Sequence, residues 1–157
     1  MINFPDYNLE NMGGNSRFNF IPNYLIDSIP YINGNKIEGI IPIKSGAAWY
    51  IGKALVRSLL FEESFQETSA GGIYKYQFNG VYPGQNSNIS ELFDDMRNQP
   101  LVIDITDNNG NRRLIGNLSN PCSFKYTFKS KETPSGRPEY TFSFSWESPK
   151  PAPFYIP

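Results

Sequence analysis

From Glu139 to Trp146 the chain reads EYTFSFSW, with a large aromatic at every second position: Tyr140, Phe142, Phe144 and Trp146. A period of two puts all four rings on one side of an extended strand and the small polar residues on the other. A helix would scatter the same rings around its circumference, so the stretch reads as a strand with one buried face. SFKYTF repeats the pattern, with Phe124, Tyr126 and Phe128 sharing a face. GGIYKYQFNGVYPG continues it: Ile73, Tyr74, Tyr76, Phe78 and Val81 carry the bulk, and Lys75, Gln77 and Asn79 are polar. Ten Tyr, twelve Phe, thirteen Gly and thirteen Pro among 157 residues also favour strands joined by turns over a helical bundle. That length suits one domain with a substantial core. The expected fold is mainly β: an antiparallel β-sandwich or a partly closed barrel.

The ends differ from the middle. Residues 1–16 are rich in Asn and Gly and read as an extended N-terminal arm, followed by a single β-rich domain over 17–147. Residues 148–157, SPKPAPFYIP, hold four prolines and read as an extended C-terminal arm that cannot join a sheet interior. Its Phe154, Tyr155 and Ile156 are costly to leave in water, so they dock on this subunit or on a neighbour.

Within the domain, INGNK marks a hairpin turn between NYLIDSIPYI and IEGIIPIK. ALVRSLLFEESFQET fits a helical stripe through Leu55, Val56, Leu59 and Leu60, or a strand through Leu59, Phe61 and Phe65. The strand is preferred because alternation follows directly. One helix is well marked, over about 88–98. Asn88 caps it with Glu91 three residues on, Ile89, Leu92, Phe93 and Met96 form one apolar stripe, and Pro100 stops it. Between the last two strands the polar loop KSKETPSGRP should project from the body of the domain.

TDNNGNRR, from Thr106 to Arg113, is the one stretch that resembles a metal loop. With Gly110 at the sixth position of a calcium loop, Asp107 and Asn109 fall on ligand positions, but the first and twelfth are Ile105 and Gly116. Arg112 and Arg113 also bring positive charge to the place a cation would occupy. Asn-Gly between apolar runs (Leu101, Ile103 and Ile105 before it, Leu114 and Ile115 after it) is instead a hairpin signal.

The rest of the chemistry is sparse. The chain has no histidine and one cysteine, which leaves no Ser/His or Cys/His nucleophile pair and no internal disulfide. Cys122 therefore reads as a buried or idle thiol. Asp104 and Asp107 point opposite ways, while Glu62-Glu63 and Asp94-Asp95 are neighbours on solvated faces, so no carboxylate pair faces across a cleft. GKALVRS lacks the upstream glycine of a phosphate loop. Trp49, Tyr50 and Trp146 could stack on sugars, but at alternating strand positions they read as core or interface. Net charge is −1, without a basic field for nucleic acid, and no apolar run reaches the roughly 20 residues of a membrane span. MINFPDYNLENMGG lacks the basic and apolar regions of a secretion signal. The expectation is a soluble chain made in a cytoplasm, with no catalytic, metal or cofactor residues.

An order of signals is left: GGIYKYQFNGVYPG, then NISELFDDMRNQP, then LVIDITDNNGNRRLIGN, NPCSFKYTF, a glycine-bearing loop and YTFSFSWESPKPAPFY. Over about residues 70–155 it resembles small structural proteins encoded among the tail genes of tailed bacteriophages, especially those of Bacteroidetes hosts. The resemblance implies a non-enzymatic virion component, a ring-forming tail subunit of the tube, terminator or completion, or baseplate kind. It would work as a homo-oligomer and through contacts with other phage tail proteins, with no sequence-specific nucleic acid and no membrane span. The candidate assembly contacts are Arg112 and Arg113 at the hairpin tip (a solvated, idle tip is the alternative), Lys129, Lys131 and Arg137 in the polar loop, and Phe154, Tyr155 and Ile156. The competing expectation is a monomeric β-sandwich module that binds carbohydrate or protein.

Overall fold

A computed structural model of the chain describes residues 13–157. In chain order its first elements are β1 (Asn15–Pro22), β2 (Ile32–Asn33), β3 (Lys36–Glu38), β4 (Tyr50–Ile51), β5 (Leu60–Thr68) and β6 (Gly71–Pro83). Helix α1 (Ser87–Arg97) follows, then β7 (Leu101–Asp107), β8 (Arg112–Ile115), β9 (Ser123–Lys129), β10 (Glu139–Ser148) and β11 (Phe154–Ile156). The strands form a seven-stranded sheet, β2-β3-β11-β8-β7-β1-β4, and a four-stranded sheet, β5-β6-β10-β9. The fold is a sandwich of two sheets with one short helix, not a closed barrel. Its strand pairs are antiparallel except β11 on β3, which is parallel.

The aromatic alternation builds the space between the sheets. Tyr140, Phe142, Phe144 and Trp146 of β10 are all buried, as are Tyr76 and Phe78 of β6 and Phe124 of β9. They meet Phe18 and Phe20 of β1 and Leu101, Ile103 and Ile105 of β7 in one cluster. Ring centroids 4.8 Å apart for Phe124–Phe144 and 5.2 Å for Phe18–Phe78, tilted and edge-on, are favourable aromatic geometries. Phe93 and Met96 of α1 close one end.

The larger sheet is covered on its other face as well. Ile21, Val102 and Leu114, one residue out of phase with the aromatic side, join Ile37, Tyr155, Ile26 and Ile41 in a second cluster. The long segment between β1 and β4 supplies much of that cover. The strands expected around INGNK shrink to β2 and β3, two and three residues long, with Gly34 at φ +63 in the turn. Pro30 and Pro42 deny ladder donors along this stretch, and outside β2 and β3 the chain wraps as loop and one 3-10 turn.

Three further expectations need correction. The helix starts one residue earlier, at Ser87, because Asn86 is the cap: its side chain accepts the Asn88 N–H at 2.8 Å, and Asn88 lies inside the first turn. The strand preferred for the ambiguous segment begins only at Leu60, after an irregular stretch with Arg57 at φ +66. The C-terminal arm does enter a sheet interior, between β3 and β8. Its prolines are placed where they need no donor: Pro153 offers only its carbonyl, to the Leu114 N–H at 3.1 Å. Phe154 N–H donates to Asn35 O and Ile156 O accepts from Gly39 N–H, both at 2.8 Å. The expected N-terminal arm lies outside the described residues as far as residue 12, and Asn15 and Ser16 already belong to β1.

Deleting residues 154–157 should therefore destabilise the isolated subunit itself. Each backbone group left unpaired between β3 and β8 costs about 1–3 kcal/mol, so the urea midpoint should fall clearly. An unchanged midpoint would mean that β11 contributes nothing to the sheet.

Candidate assembly surface

The candidate contact residues fall into two groups. Arg112, Arg113, Phe154 and Tyr155 are brought together within the subunit. Neighbours on β8 point to opposite faces, so the two arginines serve different layers. Arg112 reaches back to Asp104, whose side chain is 2% exposed, through an ion pair with both carboxylate oxygens engaged. Its guanidinium lies 4.6 Å from the Tyr155 ring centroid, and Asn19 adds a longer hydrogen bond to Asp104 at 3.4 Å. Hydrogen bonding to Asp104, opposed by partial burial, holds the Arg112 pKa above its usual value.

Arg113 faces the other sheet. It pairs with Glu63 of β5 at 2.7 Å and sits 4.5 Å from the Phe154 ring centroid. Glu63 also takes part in a hydrogen bond with the Tyr76 hydroxyl, which accepts the Ala152 N–H. Burial first, and the hydrogen bond to Glu63 second, push the Tyr76 pKa well up. This chain of contacts ties the C-terminal segment to both sheets. Both arginines have ion-pair partners inside the subunit, Asp104 for Arg112 and Glu63 for Arg113.

Lys129, Lys131, Arg137 and Ile156 are exposed, Ile156 by 46%. Lys131, at φ +68, pairs with Glu139 at 2.6 Å, and Arg137 stands on the β9–β10 loop. Lys129 ends β9, an outer strand of the four-stranded sheet.

Among the described residues that sheet has two open edges of opposite charge, a feature that only the strand order reveals. One edge is β5, which carries Glu62, Glu63 and Glu67 and no cation. The other is β9, which carries Lys125 and Lys129 and no acid. Beyond Phe61 nearly all of β5 is exposed, with Phe65 at 54%, so the β5–β6 hairpin stands out from the sandwich. The edges of the larger sheet, β2 and β4, have two residues each and offer little ladder. The complementarity becomes visible only when strand order is known.

The remaining sequence candidates resolve locally. TDNNGN is a hairpin: Asp107 N–H donates to Asn111 O at 2.9 Å, and Gly110 N–H donates to Asp107 O at 3.2 Å. Gly110 alone in the turn takes positive φ, which makes a three-residue loop with a bulge in place of a two-residue turn. The Asp107 carboxylate accepts the N–H groups of Asn109 and Asn111 at 2.8 Å each and the Asn111 amide at 2.9 Å. Burial alone would raise its pKa, but those Asn111 and Asn109 hydrogen bonds outweigh it and lower the value. The stability it contributes is present above the ordinary carboxylate range and lost as pH falls through the lowered value. Among the described residues no three His, Cys, Asp or Glu gather as a metal site requires. Cys122 is buried, and burial pushes its thiol pKa up, away from a reactive thiolate. Trp146 is 6% exposed, with its indole N–H on Asn120 O at 2.8 Å, so no face is left for a sugar. Tyr50 is exposed on β4 and stacks on Phe20. Among the described residues no helix is long and apolar enough to cross a membrane.

No protein-family model, curated protein or solved structure matches the chain.

Arg112→Ala should strand a buried carboxylate and cost about 3–5 kcal/mol in urea unfolding. Arg112→Lys should recover only part of that, because an ammonium cannot reproduce the two-pronged contact or the stacking on Tyr155. A loss under about 1 kcal/mol for the alanine variant would place Asp104 in contact with water.

Proposed function

We propose that the chain is a non-enzymatic structural subunit that joins copies of itself head to tail into a ring. Its setting is the virion of a tailed bacteriophage, as a tail tube, terminator or completion, or baseplate component made in the host cytoplasm. It acts by self-association and by stacking against neighbouring tail proteins.

The observation that carries this reading is the pair of open, oppositely charged edges on one four-stranded sheet. An unpaired edge is a template for another strand, and monomeric proteins normally blunt it. Here like edges repel, acid on acid or base on base, while β5 of one copy attracts β9 of the next. Strand direction agrees. The four strands alternate in direction, so an antiparallel ladder continues from β9 into the next β5 without a break. The same contact repeated is heterologous, and it closes into a ring when the rotation between copies divides a full turn. The exposed tip of the β5–β6 hairpin, from Gln66 to Ile73, supports the reading too, because it runs past the end of β10 and has no third strand beside it.

Lys125→Glu with Lys129→Glu makes both edges acidic, and Glu62→Lys with Glu67→Lys makes both edges basic. Each double variant should sediment as a folded monomer where the parent forms rings by negative stain. Mixed in equal amounts, the two should assemble again, in alternation. A parent that stays monomeric at millimolar concentration, or rings that ignore both reversals, would remove this reading and favour a monomeric binding module.

A further inference from the structure

Beyond assembly, we infer that the end of the sandwich under α1 is a binding site for a medium-chain carboxylate. A cavity of about 270 Å³ lies there between the two sheets, walled by Phe18, Phe93, Phe142 and Phe144 and opening between β4 and α1. Ile51 and Leu92 stand at the opening, 74% and 39% exposed. Lys53 is the one charged residue that lines the cavity, and among the described residues its ammonium has no ion-pair or hydrogen-bond partner.

Three physical points select the guest. The walls are aromatic and aliphatic, and the slot is open to solvent at one side; a cavity of roughly 150 Å³ takes a benzene-sized guest, so this one has room for a chain of about ten carbons. An apolar chain laid in the slot is drawn in by the apolar surface it removes from water and by the contacts it makes with the rings. The unpaired ammonium at the rim sets the polarity of the head: an anion there gains a partner, and a cation is repelled. An apolar slot with a single polar group beside it is a common composition of a small-molecule site, and Lys53 is exposed at this one. Helix α1 forms one wall of the slot: Ile89, Leu92, Phe93 and Met96 line it, while the opposite face is solvated.

The test uses decanoate and decanol with the full-length chain, by titration calorimetry below the concentration at which either self-associates. Decanoate should bind saturably, one per chain, and decanol about fivefold more weakly, which is what an exposed charge pair contributes. Lys53→Glu should weaken decanoate about tenfold or more and leave decanol unchanged. Ile89→Trp, which fills the slot from the helix, should abolish both, with circular dichroism and sedimentation confirming a folded chain. The inference is overturned if decanoate does not saturate, if decanol binds as tightly, or if Ile89→Trp binds like the parent. It is also overturned if Ile89→Trp stops assembly while the parent binds no decanoate, because the cavity would then receive a side chain from a second copy. Ring formation by the Lys53→Glu variant keeps this outcome separate from that of the edge reversals.

Discussion

The structure depends on β7 being buried on both faces. Leu101 to Thr106 are all inaccessible, with Leu101, Ile103 and Ile105 turned to the aromatic core and Val102, Asp104 and Thr106 turned the other way. A strand covered on one side only would have left a simple two-layer sandwich. Because β7 is covered twice, the second face needs a roof. The chain builds it from the segment between β1 and β4, which forms only the short β2 and β3 and otherwise runs as loop, and from the C-terminal residues. The same constraint explains the one buried acid. Asp104 lies on the roofed face, so a cation must come with it, and Arg112, two residues before the Leu114 that faces Asp104 across the ladder, supplies one. An ion pair of this sort is weak evidence of net stability, but it fixes the β7–β8 register, since a one-residue slip would carry Arg112 to the aromatic side.

The two arginines then decide where the C-terminus goes. Tyr155 lies beside Arg112 on the roofed face and Phe154 beside Arg113 on the other, so two neighbouring aromatics straddle the sheet and each finds a guanidinium. Glu63 completes the set from the opposite sheet. The tail is held by backbone pairing along its length and by a charge-aromatic contact on each face, a combination that three residues of isolated strand could not supply alone.

How far the sequence reveals this follows from the range of each signal. Period-two aromatics from Tyr140 to Trp146 and from Phe124 to Phe128 are local, and both became strands with the expected faces. Asn-Gly at 109–110 is local, and it became a hairpin, although the loop took three residues because only Gly110 adopts positive φ. The helix cap slipped because Asn86 and Asn88 are chemically alike and only the backbone at Asn86, extended at φ −152, chooses between them. The destination of Phe154–Ile156 could not be read, since proline content speaks about donors within the segment and nothing within it identifies β3 as a partner 118 residues away. The charged edges were hidden for the same reason: β5 and β9 look like ordinary solvated strands until topology places them at opposite ends of one sheet.

Those facts bear on how copies of this chain can meet. Arms that drape over neighbours would have been the simplest means of assembly, and the C-terminal segment had the composition for it. With Tyr155 7% exposed and both arginines occupied, that segment already has its partners, and recruiting it to a neighbour would break a sheet interior and uncover Asp104. The edges of the larger sheet are too short to replace it. Among the described residues what stays open is the four-stranded sheet, whose strands are seven to thirteen residues long and whose outer members differ in sign. The proposed self-association would therefore rest on regular backbone pairing between strands. A contact of that kind fixes the angle between successive copies through sheet twist, and a fixed angle is what separates a closed ring from an irregular aggregate.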